Sequence, residues 1–140
     1  MHEVKGFDPS GFKDIPSLLD AYYGLGFQAT HLSLARDILR RMIDDGVTFY
    51  LAFTSNIISS GLREVLAAFI RKVKPDVIIT TVGAIEEDIM KTHAPFEIGS
   101  FCMDDSDLRR RGINRIGNVL VPNERYEWLE GYVMGVLEEI

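Results

Sequence analysis

Three short stretches of this 140-residue chain gather groups that can do chemistry. The stretch TSNIISS (54–60) brings the hydroxyls of Thr54, Ser55, Ser59 and Ser60 together with the amide of Asn56. TTVG (80–83) brings Thr80 and Thr81 beside Gly83, and EED (86–88) sets three carboxylates in a row. Small hydroxyl residues and a glycine let a ligand come close to the backbone. A helix start beside them offers free N–H groups to an anion such as phosphate, while adjacent carboxylates suit a cation such as an amine. The chemistry these stretches could support is a nucleotide or phosphate held beside an ammonium group.

Each stretch also has a plainer reading. Ser, Thr and Asn are good helix N-caps, and acids in a first helical turn complement the helix dipole while facing water. Taken alone, capping is the stronger reading of one junction, and solvated dipole partners the stronger reading of Glu86, Glu87 and Asp88. Two matching junctions in one unit bring a binding site level with capping. No GxGxxG and no GxxxxGK[ST] is present, so a dinucleotide here would not use those fingerprints. Arg109, Arg110 and Arg111 read as a solvated helix end. Tyr126 and Trp128 read as the core and surface of a terminal helix, and His93 and Cys102 as structural residues.

The elements that must position these groups follow from periodicity. Residues 1–14 read as a loop, 15–24 as a short helix and 29–46 as a second helix with Thr30 as N-cap and Gly46 just past its end. VTFYLAF (47–53) and DVIITT (76–81) are continuous apolar runs of the kind found in parallel strands covered on both faces. The segment 54–70 reads as one long amphipathic helix, and 84–94 as a shorter one. Residues 47–93 therefore form a βαβα pattern with the two polar junctions at the carboxyl ends of its strands, where open α/β sheets bind ligands. Beyond it, 98–103 suggests a short strand, 104–112 a helical turn, and 113–123 a turn plus a strand; a final helix with Asn123 as N-cap follows. Its apolar stripe is Tyr126, Leu129, Val133, Val136, Leu137 and Ile140, which predicts a chain incomplete as a folding unit.

Composition bounds the function classes. Hydrophobic residues at 46% and charged residues at 26% describe an ordinary globular chain, and a net charge of −6 with pI near 5.0 argues against a nucleic-acid footprint. The single cysteine, Cys102, cannot form an internal disulfide, which suits a reducing compartment. His2, His31 and His93 have no metal-ligand spacing, so no metal site is expected. The N-terminus lacks a signal-peptide core, and no run nears the ~18 apolar residues of a membrane span. The expected location is the cytoplasm, away from membrane and nucleic acid.

The words VKGFD, GFQAT, TSNIISSGLRE, TTVGAIEED, HAPFEIGSF and RRRGINRIGNVLVPNERY, followed by Trp128, together resemble the deoxyhypusine synthase family, in its archaeal form, from Val4 to Trp128. The resemblance implies a Rossmann-like three-layer α/β fold with a parallel sheet, residues 1–140 being the N-terminal half of a single NAD-binding domain. It implies NAD-dependent oxidation of spermidine, then transfer of the 4-aminobutyl group through an imine on an enzyme lysine to a lysine of the hypusine-bearing translation factor. The family's NAD-contacting stretch falls on Ser55, Asn56, Ile57, Ile58 and Ser59, and its second cofactor stretch on Thr81, Val82 and Gly83. Its acid pair, which holds spermidine nitrogen, falls on Glu86 and Glu87, with Glu87 also approaching the cofactor. Val82 stands where alanine is usual and Ala84 where a second glycine is usual, which narrows the backbone approach.

The family's members are more than twice as long, and the imine-forming lysine with its Trp-Gly-Lys context has no match here. None of Lys5, Lys13, Lys72, Lys74 or Lys91 lies in such a motif, so no catalytic residue is assigned to this chain. The expectation is a partner chain carrying the C-terminal half, in a tetramer-like homo- or hetero-oligomer. Alternatives are a non-catalytic NAD- or polyamine-binding module, a homospermidine-synthase-like relative, and a fragment.

Overall fold

The computed structural model describes residues 2–140. They form two compact units, one ending at Phe49 and the other beginning at Tyr50.

Met1, part of the predicted loop over 1–14, lies outside the described residues. The rest of that loop is irregular apart from a 3-10 turn at Pro9–Gly11, capped by the Asp8 carboxylate. Helix α1 (Ile15–Tyr22) starts where the Asp14 carboxylate accepts the Ser17 N–H at 2.8 Å, with Pro16 in the first turn, where no intrahelical donor is lost. Helix α2 (Phe27–Asp44) begins earlier than predicted. Gly26, at φ +85°, makes the turn into it. Thr30 is no cap; from inside the helix its hydroxyl accepts the Gly26 N–H at 3.0 Å and donates to the Tyr23 carbonyl at 2.9 Å. Gly46, left-handed at φ +60°, ends the helix as expected. Arg36 ties α2 to α1 through Asp20 at 2.6 Å and the Pro16 carbonyl at 3.2 Å.

The second unit opens on the predicted parallel pair. Strand β1 (Tyr50–Phe53) lies in register with β2 (Val77–Thr80), Tyr50 opposite Val77 and Phe53 opposite Thr80. Both strands are shorter than their apolar runs. Among the described residues no further strand pairs with either, and Tyr50 and Ile79 are more than half exposed rather than covered.

The connection between them is not one helix. A single turn, α3 (Asn56–Ser59), is followed by α4 (Arg63–Val73). Ser60 breaks the run, because its backbone is extended and its hydroxyl donates to the Ile57 carbonyl at 2.8 Å while accepting the Leu62 N–H at 3.3 Å. A serine side chain bonded to its own backbone competes with helix continuation. Helix α5 (Val82–His93) starts two residues before the predicted segment, placing Gly83 in its first turn.

A three-stranded antiparallel sheet follows, in the order β3 (Glu97–Ile98), β5 (Val119–Pro122), β4 (Ile113–Ile116). The predicted strand over 98–103 shrinks to β3, and the predicted single strand within 113–123 is a hairpin turned by Gly117 at φ +62°. Helix α6 (Asp105–Arg110) is capped by Asp104, and its Asp105 takes both arms of Arg115 at 2.8 and 3.0 Å. Helix α7 (Asn123–Glu138) completes the unit. Asn123 does not cap it; its side-chain oxygen accepts from Asn114 at 2.8 Å, stapling the hairpin. Met90, Leu108 and Val121 are the most deeply buried apolar side chains.

Candidate functional site

In-register parallel pairing opens the carboxyl ends of β1 and β2 at one edge. Thr80 fastens them there, its hydroxyl donating to the Phe53 carbonyl at 2.9 Å. The two junctions then face each other: a Cβ built on Gly83 would lie 3.4 Å from both Cβ and Oγ of Ser55. Neither Ser55 nor Thr81, the N-cap residues of α3 and α5, makes a side-chain capping bond. Asn56 is exposed, its amide oxygen accepting from the Thr54 hydroxyl at 3.2 Å. Capping therefore does not account for these side chains. Thr81 and Val82 are exposed, Ile57 is half-buried, and Ile58 and Ser59 are buried.

The acidic stretch divides. Glu86 and Asp88 are exposed, and Asp88 pairs with Arg63. Glu87 points inward, only 7% exposed, and accepts the Ser59 hydroxyl at 2.5 Å. The reading of three solvated dipole partners fails for Glu87 because Gly83, Glu87 and Lys91 are four residues apart, one stripe of α5. Burial raises the Glu87 carboxyl above its ordinary value, against the Ser59 hydrogen bond and the Lys91 charge, which lower it. The Tyr126 phenol is raised too, first by burial and then by Glu87 and Glu86. That places Tyr126 of α7 in the field of the acid pair, and it is 41% exposed rather than core.

Lys91 was not singled out by sequence. Its ammonium donates to the carbonyls of Ile58 at 2.5 Å, Ser59 at 2.7 Å and Ser60 at 2.8 Å, and lies 5.1 Å from the centre of the Phe96 ring. A lysine bonded to the last carbonyls of a helix is a recognised C-terminal device, here supplied from another helix. The sequence signal was the four-residue step from Glu87; its target, 31 to 33 residues away, was not legible.

Other sequence candidates lie apart from the acids. Trp128 is the middle ring of a stack, 4.3 Å from His93 and 5.3 Å from Tyr132, so it is more than a surface residue. Cys102 is exposed and does not pack as a structural residue would. Arg109 and Arg110 end α6 in solvent, as read. A groove of about 530 Å³ between α4 and α5 is lined by Phe53, Ile58, Leu66, Thr80 and Ile85; it borders both junctions, but of the predicted contact residues it touches only Ile58. Among the described residues no group of three His, Cys, Asp or Glu could hold a metal ion, and no helix is long and apolar enough to cross a membrane.

The arrangement can do two things chemically. The exposed edge beside Gly83, with Asn56 and Thr81 open to solvent and the start of a three-turn helix, can take a phosphate-bearing ligand. One turn along α5, the acid pair can take an ammonium.

The family model described as deoxyhypusine synthase matches residues 17–140. A protein of Halobacterium salinarum named "Probable deoxyhypusine synthase" is 53% identical over 137 residues, covering 98% of this chain and 42% of the relative. Proteins of the same name from Pyrococcus furiosus and Methanocaldococcus jannaschii are 43% and 44% identical, covering 91% and 85% of this chain and 40% and 38% of theirs. The chain thus spans about two fifths of the length of the relatives it matches, corresponding to their N-terminal part. By the reach of that match and the level of identity, this chain belongs to the deoxyhypusine synthase family.

Proposed function

We propose that this chain supplies the NAD and spermidine contacts of a deoxyhypusine synthase, which moves the 4-aminobutyl group of spermidine to a lysine of the hypusine-bearing translation factor. The observation that carries the reading is the meeting of the two junctions at Ser55 and Gly83, with the buried Glu87 one turn further along α5. Asn56, Thr81 and the backbone around Val82 and Gly83 lie along the cofactor. Ile57 and Ile58 form its apolar support. Ser59, its hydroxyl committed to Glu87, acts on the site by orienting that acid. When bound, NAD accepts the hydride removed from spermidine. Glu86 and Glu87 bind and orient the polyamine, whose ammonium is costly to withdraw from water unless paired.

The imine-forming lysine comes, on this reading, from a partner chain matching the remaining length of the relatives, in a cytoplasmic oligomer. Lys91 is unsuited to that role because its three protons are spent on three carbonyls. The same observation favours one second reading, a non-catalytic NAD- and polyamine-binding module. Labelled spermidine, NAD and the translation factor, incubated with this protein and the chains that co-purify with it, decide between them. Label on a factor lysine that requires both this chain and NAD supports the enzyme. Binding of NAD and spermidine without transfer, whatever chains are present, leaves the module.

A further inference from the structure

Lys91 is the one charged side chain of the second unit whose ammonium is given over to backbone. All three donors of a lysine reach successive carbonyls, those of Ile58, Ser59 and Ser60, at 2.5 to 2.8 Å. These carbonyls end α3, a helix too short to hold itself. A lone turn fixes several dihedrals for very few hydrogen bonds, and α3 is closed by Ile57 N–H to the Thr54 carbonyl, Ile58 and Ser59 N–H to the Ser55 carbonyl, and Ser60 N–H to that of Asn56. Ser60 then leaves the helix in extended conformation. The turn is therefore held from outside, and Lys91 is what holds its end. The Phe96 ring lies beside the ammonium and adds a cation–π contact.

The held turn carries Asn56 at its start and Ser59 at its end. Ser59 in turn donates to Glu87, which sits one helical step before Lys91 on α5. One stripe of α5 thus grips α3 twice, through the side chain of Ser59 and through the carbonyls around it. The charge of Lys91 also acts on Glu87 through space, in the direction that opposes burial.

We infer that Lys91 is a positioning residue: it clamps the α3 turn so that Asn56 and its neighbours face the dinucleotide, while its cation partly offsets the acids that face the polyamine. This rests on the reading of the junctions as an NAD site beside a spermidine site. It separates Lys91 from a merely stabilising residue, because its loss acts unequally on the two ligands. Loss of the clamp loosens the dinucleotide side. The acids stand on α5 itself, so the polyamine side changes less.

The test is K91M, which keeps the aliphatic stem and removes the charge, compared with K91R and wild type, each isolated with whatever chains co-purify. Hydrogen exchange at the Ile58, Ser59 and Ser60 amides reads the clamp. Calorimetric titration with NAD and, separately, with spermidine reads the consequence. For K91M we expect exchange at these amides at least about tenfold faster and an NAD Kd at least about tenfold weaker, the scale of a lost charged hydrogen bond. Spermidine should weaken by no more than about threefold. K91R, which keeps charge and donors but not the compact three-way geometry, should fall between the two for NAD. Equal loss of both ligands, or unchanged exchange and unchanged NAD affinity, overturns the inference. If wild type binds neither ligand while K91M still frees the three amides, the site reading fails and only the clamp stands.

Discussion

Glu87 carries opposing demands in one side chain. As a carboxylate 7% exposed it is expensive to ionise, and burial raises its pKa above the ordinary 4.5. A group whose folded pKa is raised stabilises the fold most at low pH. Its contribution is fully present below 4.5 and is lost as pH rises through the folded value. Polyamine binding needs the opposite, a carboxylate, and should strengthen over the same window. Glu87→Gln keeps the acceptor for Ser59 and never ionises. In the ligand-free protein at pH 7 it should be as stable as wild type or more so, by up to about 1 kcal/mol, and the two should converge near pH 4. Urea melts at the two pH values check this. Spermidine affinity should fall at least about tenfold, since a charge left without its partner costs ~2–5 kcal/mol. A variant that is clearly less stable at pH 7 yet binds spermidine normally would make Glu87 a structural acid.

At the scale of elements, the site depends on how closely α3 and α5 approach. Gly83 lies in the first turn of α5 without a positive φ, so alanine is sterically admissible there and is a better helix former by ~1 kcal/mol. The added Cβ would sit 3.4 Å from Ser55, at the edge assigned to the cofactor. Gly83→Ala should therefore hold or raise the melting temperature while weakening NAD by roughly tenfold, the low end of an overpacking cost. Unchanged NAD affinity would place the ligand elsewhere. Asn56→Ala, at an exposed side chain, should lower NAD affinity by an amount near one hydrogen bond, ~1 kcal/mol, with little change in the melt.

The βαβ frame and both junctions were legible because apolar runs and small polar residues mark strand ends locally. The break at Ser60 was not, because the apolar spacing of 54–70 continues through it and the break lies in side-chain hydrogen bonds to backbone. The inward turn of Glu87 and the reach of Lys91 were hidden for a different reason. Each is decided by a partner about 30 residues away, Ser59 in one case and the carbonyls of 58–60 in the other. The hairpin of β4 and β5 was half read: Gly117 marks the turn, but INRI carries a polar pair in place of a clean apolar run. Family resemblance supplied the assignment of Ser55 through Glu87 to ligands, which periodicity alone left level with capping.

For the whole molecule, the decisive fact is apolar surface left in water. Ile78, Ile79, Val82 and Ile85 are exposed around the two-stranded sheet, and Val133, Met134, Val136 and Leu137 are exposed along α7. Of the apolar stripe read for that helix, only Leu129 is buried. Exposed apolar surface of this extent favours association, and a net charge of −6 opposes it only weakly at physiological salt, where charges more than ~8 Å apart are largely screened. The occupant argued for is the chain matching the remainder of the relatives' length, since this chain covers 42% of the Halobacterium salinarum protein. The protein should therefore co-purify with such a chain, or scatter light as an assembly well above its own 15.8 kDa. Val133→Glu with Leu137→Glu should disperse the assembly while leaving the fold within ~0.5 kcal/mol, because exposed side chains contribute little to folding. Far-UV circular dichroism and light scattering on the same sample separate the two effects. Retained association with retained structure would move the interface off α7, and a monodisperse 15.8 kDa wild type would remove the need for a partner altogether.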